Sequence, residues 1–276
     1  MKRREFITFV GGAAVALGVR RGSAQQPRRL FDSHCHIIDP RFPIVPNQGY
    51  TPPDFPLEDY LARVKPLGVV AGAIVSGSFQ ANDQTYLIDA LGKLGPGWAG
   101  VTQIPGDYPD KEIAKLAGIG VRAARFNVLR GLNDGIDDIV ALASRCHAVA
   151  GWHCEIYADA AVLKPHVGRL SKLPQISIDH LGMTEEGVPV LLDLVAAGCK
   201  VKATGFGRTK LDVPKTLESI AKINPGALMF GTDLPSTRAQ RPFLASDIDL
   251  IERVLGPELS KRAFWDNPVA LYKVKV

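Results

Sequence analysis

Eight times over, a short apolar run is followed by a stretch whose apolar residues recur at helical spacing, and this alternation restricts the chain more than any other feature. The apolar runs lie at 30–38, 69–76, 98–104, 121–128, 152–157, 175–181, 199–205 and 227–233. Helical spacing covers 57–65, 83–94, 110–116, 137–149, 160–173, 185–197, 214–223 and 243–255. Strand then helix, eight times in about 230 residues, predicts a parallel (β/α)8 TIM barrel of one domain. The rival, a doubly wound open sheet, ranks behind because no Gly-x-Gly-x-x-Gly follows the first run. The segment 257–272 is expected to cap the outside of the barrel.

The barrel does not start at residue 1. Met1-Lys2-Arg3-Arg4-Glu5 is a charged opening, Thr8 to Val19 is uncharged, and Gly22-Ser23-Ala24 supplies small residues. Those are the three parts of a secretory leader, and the paired arginines mark the twin-arginine kind. The chain therefore divides into a signal peptide, 1–24, and a barrel domain, 25–276, destined for the periplasm. The leader's apolar core is too short to span a bilayer, so no stable membrane anchor is expected after processing. The leader carries five basic groups and one acid, and its removal lowers the net charge from +5 to about +1. No Lys/Arg-rich run with interleaved aromatics remains, which argues against nucleic acid as a partner. Cys35, Cys146, Cys154 and Cys199 each lie in or beside an apolar or helical run, the pattern of buried free thiols rather than of a disulfide scaffold.

In a barrel of this kind the chemistry sits where strands end. Those ends deliver His34 and His36 from the first strand, Arg125 and Asn127 from the fourth, and Glu155 and Tyr157 from the fifth. His180 comes from the sixth, Asp233 from the eighth, and Arg208 follows the seventh. Residues i and i+2 of a strand share a face, so His34 and His36 should point together and Cys35 away. Plainer roles are available to each. His180 could be a core histidine or strand terminator, Asp233 a turn residue, His153 packing, and Arg125 or Arg208 a structural partner of Asp32 or Asp179. His147 and His166 fall on helices, where exposure is the default. Together, a carboxylate that deprotonates water and imidazoles or a metal that stabilise an oxyanion suit ester hydrolysis. Several arginine forks favour a small anionic substrate.

His-x-His on the first strand, Ile-Asp-His-Leu-Gly on the sixth, Val-Lys-x-x-Gly with a following Arg on the seventh, Gly-Thr-Asp-x-Pro on the eighth and Asp-Asn-Pro at 266–268 resemble the amidohydrolase superfamily. More narrowly, the chain is similar to the amidohydrolase-2 group, which contains lactonases of pyrone dicarboxylates and sugar acids. The resemblance covers the whole mature chain. It implies a hydrolase that opens a lactone of a carboxylated compound. His34, His36 and His180 would polarise the scissile carbonyl, and Asp233 would activate water. Arg125, Arg130 and Arg208 would hold substrate carboxylates, with Tyr50 and Tyr157 facing the substrate. One divalent metal, zinc or manganese, could be held by His34, His36 and Asp233, although metal-independent catalysis is favoured. Two departures stand out: the fourth strand has no lysine for a carbamylated bridge, and the fifth offers His153-Cys154-Glu155 rather than a clean terminal histidine. Two other functions fit the same residues: a metal-dependent decarboxylase of an aromatic or related acid, and a barrel that binds a small acid without catalysis. Specificity is expected in the loops 39–56 and 236–242.

Overall fold

A run such as Val-Val-Ala-Gly-Ala-Ile-Val is apolar on both faces, and a strand of that kind is stable only with neighbours above and below it. The computed structural model describes residues 28–132 and 135–276, and it places eight such strands side by side. They are β1 (Leu30–Cys35), β2 (Val69–Val75), β3 (Trp98–Thr102), β4 (Val121–Phe126), β5 (His153–Ile156), β6 (Ile176–Ile178), β7 (Lys200–Ala203) and β8 (Leu228–Phe230). Each pairs in parallel with the next in chain order. The helices are α1 (Leu57–Val64), α2 (Thr85–Leu94), α3 (Asp110–Ile119), α4 (Ile136–Ala150), α5 (Val167–Leu170), α6 (Val188–Ala196), α7 (Val213–Ile223), α8 (Ser246–Lys261) and α9 (Asn267–Tyr272). Only the fifth falls well short of the expected length: Pro165 has no backbone N–H to donate, and 160–166 winds as a 3₁₀ turn before α5.

The circle closes between β8 and β1. Asp233 N–H donates to His34 O at 2.7 Å, His36 N–H to Leu234 O at 2.8 Å, and the Ser33 hydroxyl to Phe230 O at 2.6 Å. Asp32 strengthens the seam by accepting from Thr232 N–H at 2.8 Å, the Thr232 hydroxyl at 2.6 Å and the Tyr60 hydroxyl at 2.9 Å. Asp32 is thus committed to closure and, among the described residues, pairs with no arginine. Gly231 permits the approach, since a Cβ there would stand 2.9 Å from both the backbone nitrogen and the Cβ of His34.

The larger core lies between sheet and helices, and a second one fills the barrel. Ala71, Ala73, Ala99 and Ala123 line much of the interior, and their small side chains leave space that Phe31, Met229 and Tyr272 occupy. This corrects the expectation for 257–272. The chain kinks at Gly256, passes through a π turn at 262–266, and α9 brings Tyr272, fully buried, onto the Phe31 ring at 5.4 Å. The segment therefore seals the barrel floor from within. All four cysteines are buried and free. The expected leader lies outside the described residues, and no described helix is long and apolar enough to cross a membrane.

Candidate active site

β6 and β8 stop before the residues that matter, so His180 and Asp233 stand in turns, with φ of 51° and 58°. Left-handed backbone is uncommon outside glycine, though Asp and His enter it more readily than most. Leu181, Ser236 and Arg238 share it, so the strain gathers at one end of the barrel. The result is convergence. The His34 ring lies 5.0 Å from that of His36 and 4.8 Å from that of His180. Asp233 Oδ1 sits 3.8 Å from His34 Nε2 and 3.7 Å from His36 Nε2. All four are buried, while Cys35 faces the outer core. Gly205 makes room for His180, because a Cβ there would lie 2.6 Å from its Nδ1.

Charge in this cluster is fixed by named partners. Burial alone would push the Asp233 carboxyl up, but the Arg208 guanidinium beside it, with the imidazoles of His180, His36 and His34 facing it, outweighs burial and holds the group well below the usual carboxylate range. Arg208 donates through Nε to Asp233 Oδ2 at 2.8 Å, through Nη2 to the same oxygen, and to Thr237 O at 2.9 Å. Burial lowers His180 to about 3, against the pull of Asp233, and lowers His34 as well, so both rings are neutral near pH 7. His36 donates from Nδ1 to Val75 O at 2.7 Å, which turns Nε2 towards Asp233. Arg125 donates to Asp179 Oδ2 at 2.8 Å and to Ser76 O at 2.7 Å. The structural pairing with Asp179 is therefore real, although the guanidinium still lines the pocket.

Lys202, the lysine of the Val-Lys-x-x-Gly motif, was given no role from the sequence. It is fully buried in β7, with Nζ 2.6 Å from Glu155 Oε2 and 3.2 Å from His34 Nδ1. An ammonium donates and cannot accept, so a hydrogen bond between these two groups has His34 Nδ1 as its acceptor and goes with a ring proton on Nε2. That decides whether a divalent metal fits. By separation, free atoms of His34, His180 and Asp233 lie within 4.8 Å of one another, and so do those of His34, Glu155 and Asp179. In the first set His34 Nε2 carries a proton and has no lone pair to offer. In the second, the Lys202 ammonium already lies among the ligand atoms. As arranged, neither set fits a metal ion, and His36 belongs to neither.

The pocket above the cluster is walled by His36, Phe79, Arg125, Tyr157, His180 and Arg208, with Arg130 and Arg238 at its rim. It leaves only about 20 Å³ free, room for a water-sized molecule. Roomier hollows of about 800 and 660 Å³ flank Arg28 and Arg29 at the opposite end, far from any catalytic constellation. The Tyr157 hydroxyl accepts from Arg130 at 3.2 Å and from Arg208 at 3.5 Å. Tyr50 stands behind the pocket wall, its ring 4.5 Å under the Arg238 guanidinium. Arg238, also missed from sequence, reaches across to Asn47 and Gln48 and ties the 236–242 loop to the 39–56 loop. Arg125 and Arg208 have carboxylate partners, but among the described residues Arg130 and Arg238 have none.

Comparison with known proteins finds relatives over nearly the whole chain. The chain is 26% identical over 277 residues to a 2-pyrone-4,6-dicarboxylate hydrolase of Comamonas testosteroni, covering 89% of this chain and 90% of the relative. It is 29% identical over 277 residues to a 4-sulfomuconolactone hydrolase of Rhizobium radiobacter, covering 90% and 91%. The fold superposes on the crystal structure of a putative 2-pyrone-4,6-dicarboxylic acid hydrolase from Pseudomonas putida with a TM-score of 0.75 and 25% identity, covering 89% of this chain and 97% of that one. The family model described as amidohydrolase matches residues 31–274, and the chain belongs to that family.

Proposed function

We propose that the protein hydrolyses a lactone that carries at least one further anionic group, using Asp233 as the base and no metal. The observation that carries this reading is the Asp233 carboxylate itself: ionised, buried, and with Oδ1 free of any hydrogen bond at the foot of an arginine-rimmed pocket. The lactone carbonyl oxygen meets the Nε2–H of His34 and the ring of His180, donors placed where negative charge develops. Asp233 takes a proton from the attacking water, with His36 Nε2 beside it. When the ring C–O bond breaks, Asp233 returns that proton to the leaving oxygen, and a hydroxy acid is released. A carboxylate held so low is a weak base, but a substrate anion that takes up Arg208 N–H donors loosens their hold on it. Relatives named as lactone hydrolases support the reaction class. Removal of the 1–24 leader after twin-arginine export to the periplasm belongs to the same proposal.

The test is a panel of lactones with and without carboxylate substituents, assayed on chelator-treated, metal-analysed mature protein. Ring opening of carboxylated members at full rate without metal is the expected result. Release of carbon dioxide only when a divalent ion is restored would replace the proposal with a decarboxylase. Binding of the acids without turnover would reduce the protein to a carrier.

A further inference from the structure

We propose that Lys202 is a built-in cation among His34, Glu155 and Asp179, and that it acts as a positioning residue by fixing His34 as an Nε2–H donor, closing that nitrogen to metal. The three ligand atoms of the set converge within 4.8 Å, and Lys202 Nζ reaches all of them: 2.6 Å to Glu155 Oε2, 3.2 Å to His34 Nδ1 and 3.6 Å to Asp179 Oδ1. Two acceptors within hydrogen-bond distance, Glu155 Oε2 and His34 Nδ1, and a third carboxylate oxygen just beyond it suit an ammonium, which has no lone pair of its own.

One competitor for the same ring nitrogen must be weighed. Asp179 Oδ1 lies 3.4 Å from His34 Nδ1 and would favour the opposite tautomer. Yet that oxygen makes no hydrogen bond, and the other carboxylate oxygen is taken by Arg125 at 2.8 Å. Lys202 is the closer and better directed partner, and Glu155 holds it there. With Nδ1 occupied, the His34 proton points from Nε2 into the space shared with Asp233 Oδ1, 3.8 Å away. An N–H in that position can stabilise an oxyanion, and the same proton excludes a metal. The internal charges are also matched one to one, Lys202 with Glu155, Arg125 with Asp179 and Arg208 with Asp233. Each of these three carboxylates already faces a cation.

The effect expected on turnover rests on the lactonase reading, whereas the tautomer and the refusal of metal do not. The experiment is nitrogen NMR of histidine-labelled mature protein, with His34 assigned through His34→Gln. Wild type should show His34 protonated at Nε2. Lys202→Met should move the proton to Nδ1, facing Asp179. Because Lys202→Met leaves Glu155 unpaired and could prevent folding, the charge-balanced Lys202→Met/Glu155→Gln is measured beside it. Calorimetric titration with Zn²⁺ should show at least about tenfold tighter binding in the folded variants than in wild type, and kcat should fall about 10²-fold with KM within about threefold. Wild-type His34 protonated at Nδ1, variants that keep the Nε2 proton, or zinc bound as tightly by wild type as by the variants would each overturn the proposal. Should neither variant fold, the wild-type spectrum and zinc titration decide. Lack of lactonase activity in wild type would count against the proposed function and leave these two readouts standing.

Discussion

Arg208 sends two N–H groups to one oxygen of Asp233, Oδ2, and leaves the other facing the imidazoles. The carboxylate is thereby ionised, oriented and half free. Asp233→Asn keeps the shape but cannot take a proton, so kcat should fall on the order of 10²- to 10⁴-fold. Because Arg208 loses its counter-charge, unfolding free energy should also drop by about 1 to 3 kcal/mol. Turnover and urea midpoint on one preparation check both, and full activity per folded molecule would reduce Asp233 to a turn residue.

The rim arginines differ from the paired ones in what their loss should do. Arg130→Met and Arg238→Met remove guanidiniums without carboxylate partners, so each should raise KM for an anionic lactone about 10- to 100-fold with kcat little changed. Arg208→Met should lower kcat too, since it also frees Asp233. Equal KM values in wild type and both rim variants would place substrate anions elsewhere.

Acid should unfold the protein through its buried imidazoles. His180 is lowered to about 3 by burial, and His34 and His153 are lowered for the same reason. From about pH 6.5 downward the unfolded chain binds these protons and the folded one does not, so stability falls on acidification by up to roughly 1.4 kcal/mol per unit for each group. Asp32 works the other way: burial raises it to about 6, so its contribution is lost as pH rises through that value, and it offsets part of the slope. Below the ordinary aspartate range, Asp233 and Asp179, both lowered, add to the loss. Urea midpoints between about pH 7 and pH 4.5 should decline in wild type and decline less in His180→Gln. Equal slopes would show that His180 is not the buried neutral group described.

Gly231→Ala should damage both fold and site. The added Cβ would meet His34 at 2.9 Å, forcing β8 from β1 at the seam that carries two catalytic residues. A loss of about 1 to 3 kcal/mol is expected for such overpacking. A melting temperature and kcat equal to wild type would show that the seam can give.

The proposed export depends on a receptor reading two arginines. Replacing Arg3 and Arg4 by Lys should leave the precursor in the cytoplasm, and fractionation that finds normal periplasmic processing would remove the twin-arginine assignment.

Most of the barrel was readable because short apolar runs and a period near 3.6 alternate in residue order, and the strand-end residues followed from them. Lys202 was hidden by its neighbours. In Lys200-Val201-Lys202 both lysines fall on one side, and only the three-dimensional register shows that one reaches Gly226 O where the strands begin while the other lies fully buried against Glu155. Arg238 sits in an aperiodic loop, where no spacing rule says which way a side chain turns. The inward course of Tyr272 depends on room left by alanines on three distant strands, a volume relation that a linear pattern does not display.

The left-handed turns at His180 and Asp233 also bear on how the chain would drift. Such conformations, and buried polar atoms without partners such as His180 Nδ1 and Asp233 Oδ1, each lower stability by about 1 to 3 kcal/mol. Selection for a robust fold alone would replace these residues first, with glycine or asparagine in the turns and apolar groups below them. A lineage released from catalysis should therefore show its loss at positions 180 and 233 before its core changes.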